Sequence, residues 1–229
     1  MIFYCVRHGE SVYNREGMIQ GWLDVPLSTL GESQAAAAGA ALAELCRNEA
    51  DTAGNAANGA DRPAPERVFA SPLRRAFQTA EAVSRALVLP VEPVESLREI
   101  NVGEFQGQTR IEISKKYPDT WACWLSCDPD FALPGGETRR HLAERGASAL
   151  RELSQLSHRA VVVVSHGAIL TATFKLLMGI PLGHAPHALQ NGSISTCELT
   201  RDGRFTMHQR DNIAHILPDK LSGSGDLPV

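Results

Sequence analysis

The sequence predicts an α/β fold, a three-layer α/β/α sandwich around a mostly parallel, mixed sheet. Three observations predict it. Short apolar runs, Ile2 to Val6, Arg67 to Ala70, Val91 to Val94 and Val161 to Val164, alternate with segments of helical period. The runs are continuously apolar, as expected of strands covered on both faces. Near the end, Ser193 to Leu199 and Arg204 to Gln209 flank Asp202-Gly203, which predicts a hairpin and hence an antiparallel edge.

The elements follow in order. The first strand stops on Arg7-His8-Gly9-Glu10-Ser11, and Val12 to Val25 reads as a polar loop. Leu30, Ala37, Ala41 and Leu45 recur at helical spacing in an alanine-rich run, predicting a helix over 30–46. Composition then shifts to Ala, Asn, Gly, Asp and Pro over 47–66, a solvated insertion of a kind that loops tolerate cheaply. After the second strand, Ser71-Pro72 reads as the N-cap and first turn of a helix running from Leu73 to Leu87. Short helices are predicted at 109–117 and 119–127, carrying Trp121 and Trp124 as core or lid residues. Pro134-Gly135-Gly136-Glu137-Thr138 is a turn opening a long amphipathic helix to about Leu156, with Glu137 read as its cap. The valine strand stops on Ser165-His166-Gly167, and an apolar helix from Ala168 to Met178 ends at Gly179. The expected organisation is one catalytic domain over 1–217 and a flexible Ser/Gly-rich tail over 218–229.

Bulk properties narrow the function. At 229 residues the chain can bury a sizeable core. A formal charge of −4 argues against coating nucleic acid, and no apolar run approaches the roughly 18 residues a membrane span needs. The N-terminus enters a strand directly, with no signal-peptide pattern. Five scattered cysteines do not resemble a disulfide framework, so a cytoplasmic location is expected. Cys123 and Cys127 can share a helix face, but no second Cys/His pair has zinc-like spacing, so no metal is expected.

The chemistry lies at strand ends, where α/β sheets bind ligands. Arg7 and His8 end the first strand and His166 the valine strand. Arg75 sits in the first turn of a helix, where anions are favoured, and Glu99 follows another short run. Two guanidiniums and two imidazoles supply the positive charge that phosphoryl transfer needs. A neutral histidine can serve as nucleophile, and a carboxyl group can protonate the leaving oxygen and then activate water.

These residues form an ordered set that resembles the histidine phosphatase superfamily, which includes the cofactor-dependent phosphoglycerate mutases. The segments are Arg7-His8-Gly9-Glu10-Ser11 with Asn14; Gln20-Gly21-Trp22 with Asp24 and Pro26-Leu27; Ser71-Pro72-Leu73-Arg74-Arg75-Ala76 with Thr79-Ala80; Leu97-Arg98-Glu99-Ile100 with Gly103 and Gly107; and Ser165-His166-Gly167. The resemblance spans about residues 2 to 217. It implies a phosphoglycerate mutase-like fold, a phosphohistidine on His8 and Glu99 as proton donor. Arg7, Arg75, His166 and Gly167 would hold the phosphoryl group, with Asn14, Gln20 and Gly21 assisting. It implies no metal and no cofactor. Arg74 reads as a surface or supporting residue. His184, His187 and His215 read as loop or packing residues, His215 being the one that could line the pocket.

Within the superfamily, Val102 stands where the mutases normally carry tyrosine, and Lys115 and Lys116 are the main cations where mutases have an arginine-rich insert. The expectation is therefore a metal-independent phosphatase acting on a small phosphorylated metabolite, with no nucleic-acid or membrane partner, as a monomer or homodimer. A phosphoglycerate mutase and a non-catalytic phosphate-binding module are the alternatives.

Overall fold

The computed structural model describes residues 1–52, 62–183 and 189–221. Its centre is a six-stranded mixed sheet in the order β3-β2-β4-β1-β5-β6. The strands are β1 (Ile2–Arg7), β2 (Val68–Ala70), β3 (Val91–Pro93), β4 (Ala160–Ser165), β5 (Ile194–Leu199) and β6 (Phe205–Asn212). β1 runs parallel to β4 and antiparallel to β5, so the hairpin β5–β6 makes the antiparallel edge. The helices are α1 (Val12–Glu16), α2 (Thr29–Thr52), α3 (Arg74–Leu87), α4 (Arg110–Lys116), α5 (Pro118–Leu125), α6 (Arg139–Ser154) and α7 (Gly167–Leu177).

Alternation along β1 divides the core. Phe3 and Cys5 face a cluster with Leu150 of α6 and Leu170 and Phe174 of α7. Tyr4 and Val6 face the other side, against Ala38 and Leu42 of α2 and Ala76, Ala80 and Val83 of α3. Both faces are buried, which is why the strand sequences are continuously apolar. A third cluster joins Ile100, Val102, Phe105, Ile113, Trp124 and Leu133 to Leu142 of α6 and Ile169 of α7. It anchors α4 and α5 beside the sheet, so both tryptophans are packing residues, against Phe105.

The structure corrects several local expectations. The polar stretch after Ser11 contains helix α1, because local capping outweighs its polarity. Ser11 and Asn14 form a capping box, and Gly17 closes the helix at φ +68°. Helix α2 continues past residue 46 to Thr52, into the predicted insertion, of which 53–61 lie outside the described residues. Pro218–Lys220, expected in the tail, forms a 3-10 turn whose Lys220 carbonyl accepts from Gln34 Nε2 at 2.7 Å. Residues 222–229 of that tail, and His184 and His187, lie outside the described residues. Cys127 does not share a helix face with Cys123; it follows α5 at φ +58°. Among the described residues no group of three His, Cys, Asp or Glu side chains is placed to hold a metal ion, and no helix is long and apolar enough to cross a membrane.

Candidate active site

The parallel pairing of β1 with β4 builds the centre of the site. Arg7 lies opposite Ser165 in register, so the next residues, His8 and His166, leave adjacent strands side by side. The His8 amide donates to the Ser165 carbonyl at 2.9 Å. The two rings meet edge to face with centroids 5.0 Å apart. Both imidazoles are buried, His8 at 2% exposure and His166 at 0%.

His8 is oriented by its own backbone neighbour. Nδ1 is 2.6 Å from the Gly9 carbonyl, and because a carbonyl only accepts, Nδ1 carries the proton. The neutral ring therefore presents Nε2 as a lone-pair nitrogen. Gly9 permits this bend by its closeness to α2: a Cβ there would lie 2.3 Å from the Gly31 carbonyl oxygen. The Gly9 amide donates to Thr79 Oγ1 of α3, and Asn191 Nδ2 donates to the His8 carbonyl at 3.1 Å.

Two guanidiniums flank the imidazoles. Arg7, 3% exposed, donates through Nη1 to the Leu189 carbonyl. Its side chain lies where a Cβ on Gly167 would approach Nε to 3.3 Å, so glycine at 167 admits the cation. Arg75, 1% exposed, donates from Nη2 to the Gly21 carbonyl at 2.8 Å and from Nη1 to the Leu23 carbonyl at 2.9 Å. Burial pushes its pKa down to about 10, still charged at neutral pH. Arg75 thus ties the Gln20-Gly21-Trp22 loop to the histidines. Gly21 enters the site as an acceptor for this arginine.

Ser71 does not cap α3, which begins at Arg74 after Leu73. The Ser71 hydroxyl instead lies 2.7 Å from His166 Nε2. That oxygen already accepts from the Leu73 amide at 3.3 Å, which leaves its O–H to donate to Nε2, the arrangement in which the proton of His166 sits on Nδ1. Nδ1 is buried and, among the described residues, has no hydrogen-bond partner, and the same holds for Nε of Arg75. Two orphaned donors in one site suit an anion. Arg74 itself is exposed, its amide on Asp24.

Glu99, half-buried, lies beside this group. Its Oε1 accepts from the amides of Ile100 (2.9 Å) and Ile169 (3.0 Å), and Oε2 from Ala168 (3.1 Å) at the start of α7. Burial raises its pKa, and those amides and Arg75 oppose the rise without cancelling it. Gln20 and Asn14 gather around Ser11: the Ser11 hydroxyl lies 2.7 Å from Gln20 Oε1 and 3.0 Å from Asn14 Oδ1. His215 sits behind the loop, its Nε2–H on the Gly192 carbonyl at 3.0 Å.

With this geometry in place, comparison with known proteins settles the lineage. The profile of the histidine phosphatase superfamily (branch 1) matches residues 3–212. The chain belongs to that superfamily. This histidine phosphatase is 32% identical over 202 residues to the glucosyl-3-phosphoglycerate phosphatase of Mycolicibacterium vanbaalenii, covering 85% of this chain and 81% of that one. It is 31% identical over 215 residues to a metal-independent phosphoserine phosphatase of Arabidopsis thaliana, covering 92% and 81%. A mycobacterial glucosyl-3-phosphoglycerate phosphatase solved with VO3 superposes with a TM-score of 0.77 at 28% identity, over 92% of this chain and 98% of that one.

Sequence reasoning missed two contributors. Asn191 precedes a glycine and reads only as a turn. Ser71 has the pattern of a helix cap, and nothing local distinguishes it.

The buried histidines make acid stability a readout of the site. Burial, Arg75 and Arg7 hold both imidazoles well below the usual histidine range. Below about pH 6.5 the unfolded chain therefore binds protons that the folded chain does not, and stability falls as pH falls. Each imidazole contributes a slope approaching about 1.4 kcal/mol per pH unit below about pH 6. Glu99, with its pKa raised, has the opposite sign: its contribution is lost as pH rises through its folded value. His166→Asn removes one histidine and leaves Glu99 in place. Urea unfolding at pH 5 and pH 7 should show a flatter pH dependence for the variant, by about one proton. Equal dependence in both proteins would mean that His166 is not held neutral by the fold.

Proposed function

We propose that this histidine phosphatase is a phosphomonoesterase that hydrolyses small phosphorylated metabolites through a phosphohistidine on His8. The observation that carries it is the Nδ1–H bond to Gly9, which leaves Nε2 of a buried, neutral imidazole as the lone-pair nitrogen beside two guanidiniums. In the first step Nε2 attacks phosphorus, the N–P bond forms and the ester P–O bond breaks. The leaving oxygen takes a proton from Glu99. In the second step water attacks phosphorus, Glu99 takes its proton back, the N–P bond breaks and orthophosphate leaves. Arg7, Arg75 and the spare N–H of His166 face the developing charge on the phosphoryl oxygens, with Gln20 and Asn14 at the edge. Each step uses groups of the chain and water, so the reading involves no metal and no cofactor.

Glu99 suits both roles because opposing effects act on one carboxyl. Burial favours the acid needed first, and three amides and Arg75 favour the carboxylate needed second. Val102, 1% exposed, is locked in the third core cluster, so it offers no hydroxyl to a substrate as a tyrosine there would. The named relatives act on glucosyl-3-phosphoglycerate and phosphoserine, both small phosphomonoesters, which favours hydrolysis over isomerisation.

A chelator-treated assay on a panel of phosphomonoesters including these two, with 3-phosphoglycerate isomerisation run alongside, tests the reading. Phosphate release without isomerisation is expected. Bisphosphate-primed isomerisation would move the protein to the mutases, and phosphate binding without turnover would make it a recognition module. In the same assay Glu99→Gln should lower kcat/KM, which reports the steps up to phosphoenzyme formation, by about 10²-fold or more for poor leaving groups and much less for good ones, since only poor ones need protonation.

A further inference from the structure

The Pro134-Gly135-Gly136-Glu137 turn is a motif whose role the site described so far does not use. Glu137 does not cap α6; Thr138 does, its hydroxyl accepting from the His141 amide. The Glu137 carboxylate instead pairs with Arg145, about two helical turns further on, at 2.7 Å from Oε1 to Nη2. The pair is mostly buried, with side-chain exposures of 16% for Arg145 and 9% for Glu137. It lies beside the extended segment that carries Glu99.

Arg145 Nε also reaches Glu137 Oε2 at 3.4 Å, and the two Nη groups turn to that segment. Nη1 donates to the Ser96 and Arg98 carbonyls, each at 2.8 Å, and Nη2 also reaches the Glu99 carbonyl at 3.3 Å. Glu137 grips the other side of residue 99: its Oε1 accepts from the Asn101 amide at 2.9 Å, and its own amide donates to the Asn101 carbonyl at 2.9 Å. The backbone is therefore held at 96, 98 and 99 by the guanidinium and at 101 by its carboxylate partner. The glycines make this approach possible. A Cβ on Gly136 would lie 2.7 Å from the Asn101 carbonyl oxygen, and one on Gly103, at φ +47°, 2.0 Å from that of Pro134.

We propose that Arg145, braced by Glu137, is a positioning residue for Glu99 that fixes the carboxyl where it can protonate the leaving oxygen. This rests on the reading of Glu99 as the acid. Arg145 bonds the backbone of the acid's segment through a rigid fork that lysine cannot reproduce. Its influence on Glu99 is through placement, while its charge also helps to hold the His166 imidazole below the usual histidine range. A displacement of about 1 Å in a catalytic group can cost about 10²-fold. The loss should fall on the protonation step and spare phosphoryl binding.

The test compares phenyl phosphate, a poor leaving group, with 4-nitrophenyl phosphate, a good one. In Arg145→Gln, kcat/KM for phenyl phosphate, which reports the steps up to phosphoenzyme formation, should fall about 10- to 100-fold. For the 4-nitrophenyl ester kcat/KM should fall much less, and inorganic phosphate should still bind. Glu99→Gln, measured beside it, should show the same selectivity, and adding Arg145→Gln to it should cost little more. Glu137→Gln supplies the same comparison should Arg145→Gln fail to fold. Equal losses on both esters in the Arg145 or Glu137 variant, with Glu99→Gln still selective, would overturn the positioning role. Loss of selectivity in Glu99→Gln itself would remove the acid reading, and this inference with it.

Discussion

His8→Asn should abolish phosphomonoester turnover, a loss of about 10⁴-fold or more, the scale seen when a nucleophile acting as a unit with its neighbours is removed. Asparagine is chosen because its amide nitrogen can take the place of Nδ1 and donate to the Gly9 carbonyl, which His8 holds at 2.6 Å. The strand end, the Gly9–Gly31 contact and the Ser165 bond are all backbone features and should survive. The variant should therefore fold, with a stability change of no more than about 1–2 kcal/mol, while keeping both arginines. Phosphate should still bind, and kcat/KM should be lost through kcat. Near-normal activity in a folded His8→Asn protein would remove the nucleophile assignment.

Arg75→Met should damage both activity and stability, which sets it apart from His8→Asn. The guanidinium is 1% exposed and is the donor for the Gly21 and Leu23 carbonyls. Methionine fills much of the volume but leaves both carbonyls without that donor, each at a cost of about 1–3 kcal/mol. The loop from Gln20 to Asp24 would then lose two of its bonds to α3 and keep the Arg74 amide on Asp24. The reaction also loses a fixed charge at the phosphoryl oxygens, for which about 10²–10³-fold in kcat is a reasonable scale. Arg75→Lys keeps a charge but cannot bridge two carbonyls from one planar group, so it should recover only part of either loss. Urea midpoints and kcat/KM for both variants test this. An Arg75→Met protein with wild-type stability would show that the two carbonyl bonds contribute nothing to the fold.

Much of this architecture is legible in the amino-acid order because the sheet is covered on both faces. A continuous apolar run as short as Val161 to Val164 suits a doubly buried strand better than a helix, and a strand ending on His-Gly twice in one chain points to one pocket. The pairing of Arg7 with Ser165 is what turns two sequence-distant histidines into neighbours. Helix α1 is hidden because its stability lies in a capping box and a left-handed glycine, with no apolar stripe to announce it. Ser71 misleads for a related reason: a hydroxyl before a helix usually serves the helix, and only the tertiary fold shows His166 within 2.7 Å of it. Arg145 cannot be recognised from sequence at all, since its oxygen partners come from two separate segments of the chain.

The most direct test of the phosphoryl-transfer account is to mix the protein with 4-nitrophenyl phosphate, quench in alkali, where phosphohistidine survives, and locate the adduct by mass. The account predicts one phosphoryl group per chain, on His8, absent from His8→Asn and accumulating in Glu99→Gln, where attack by water is slowed. An adduct on another residue, or none in Glu99→Gln while 4-nitrophenol is released with a burst, would contradict it.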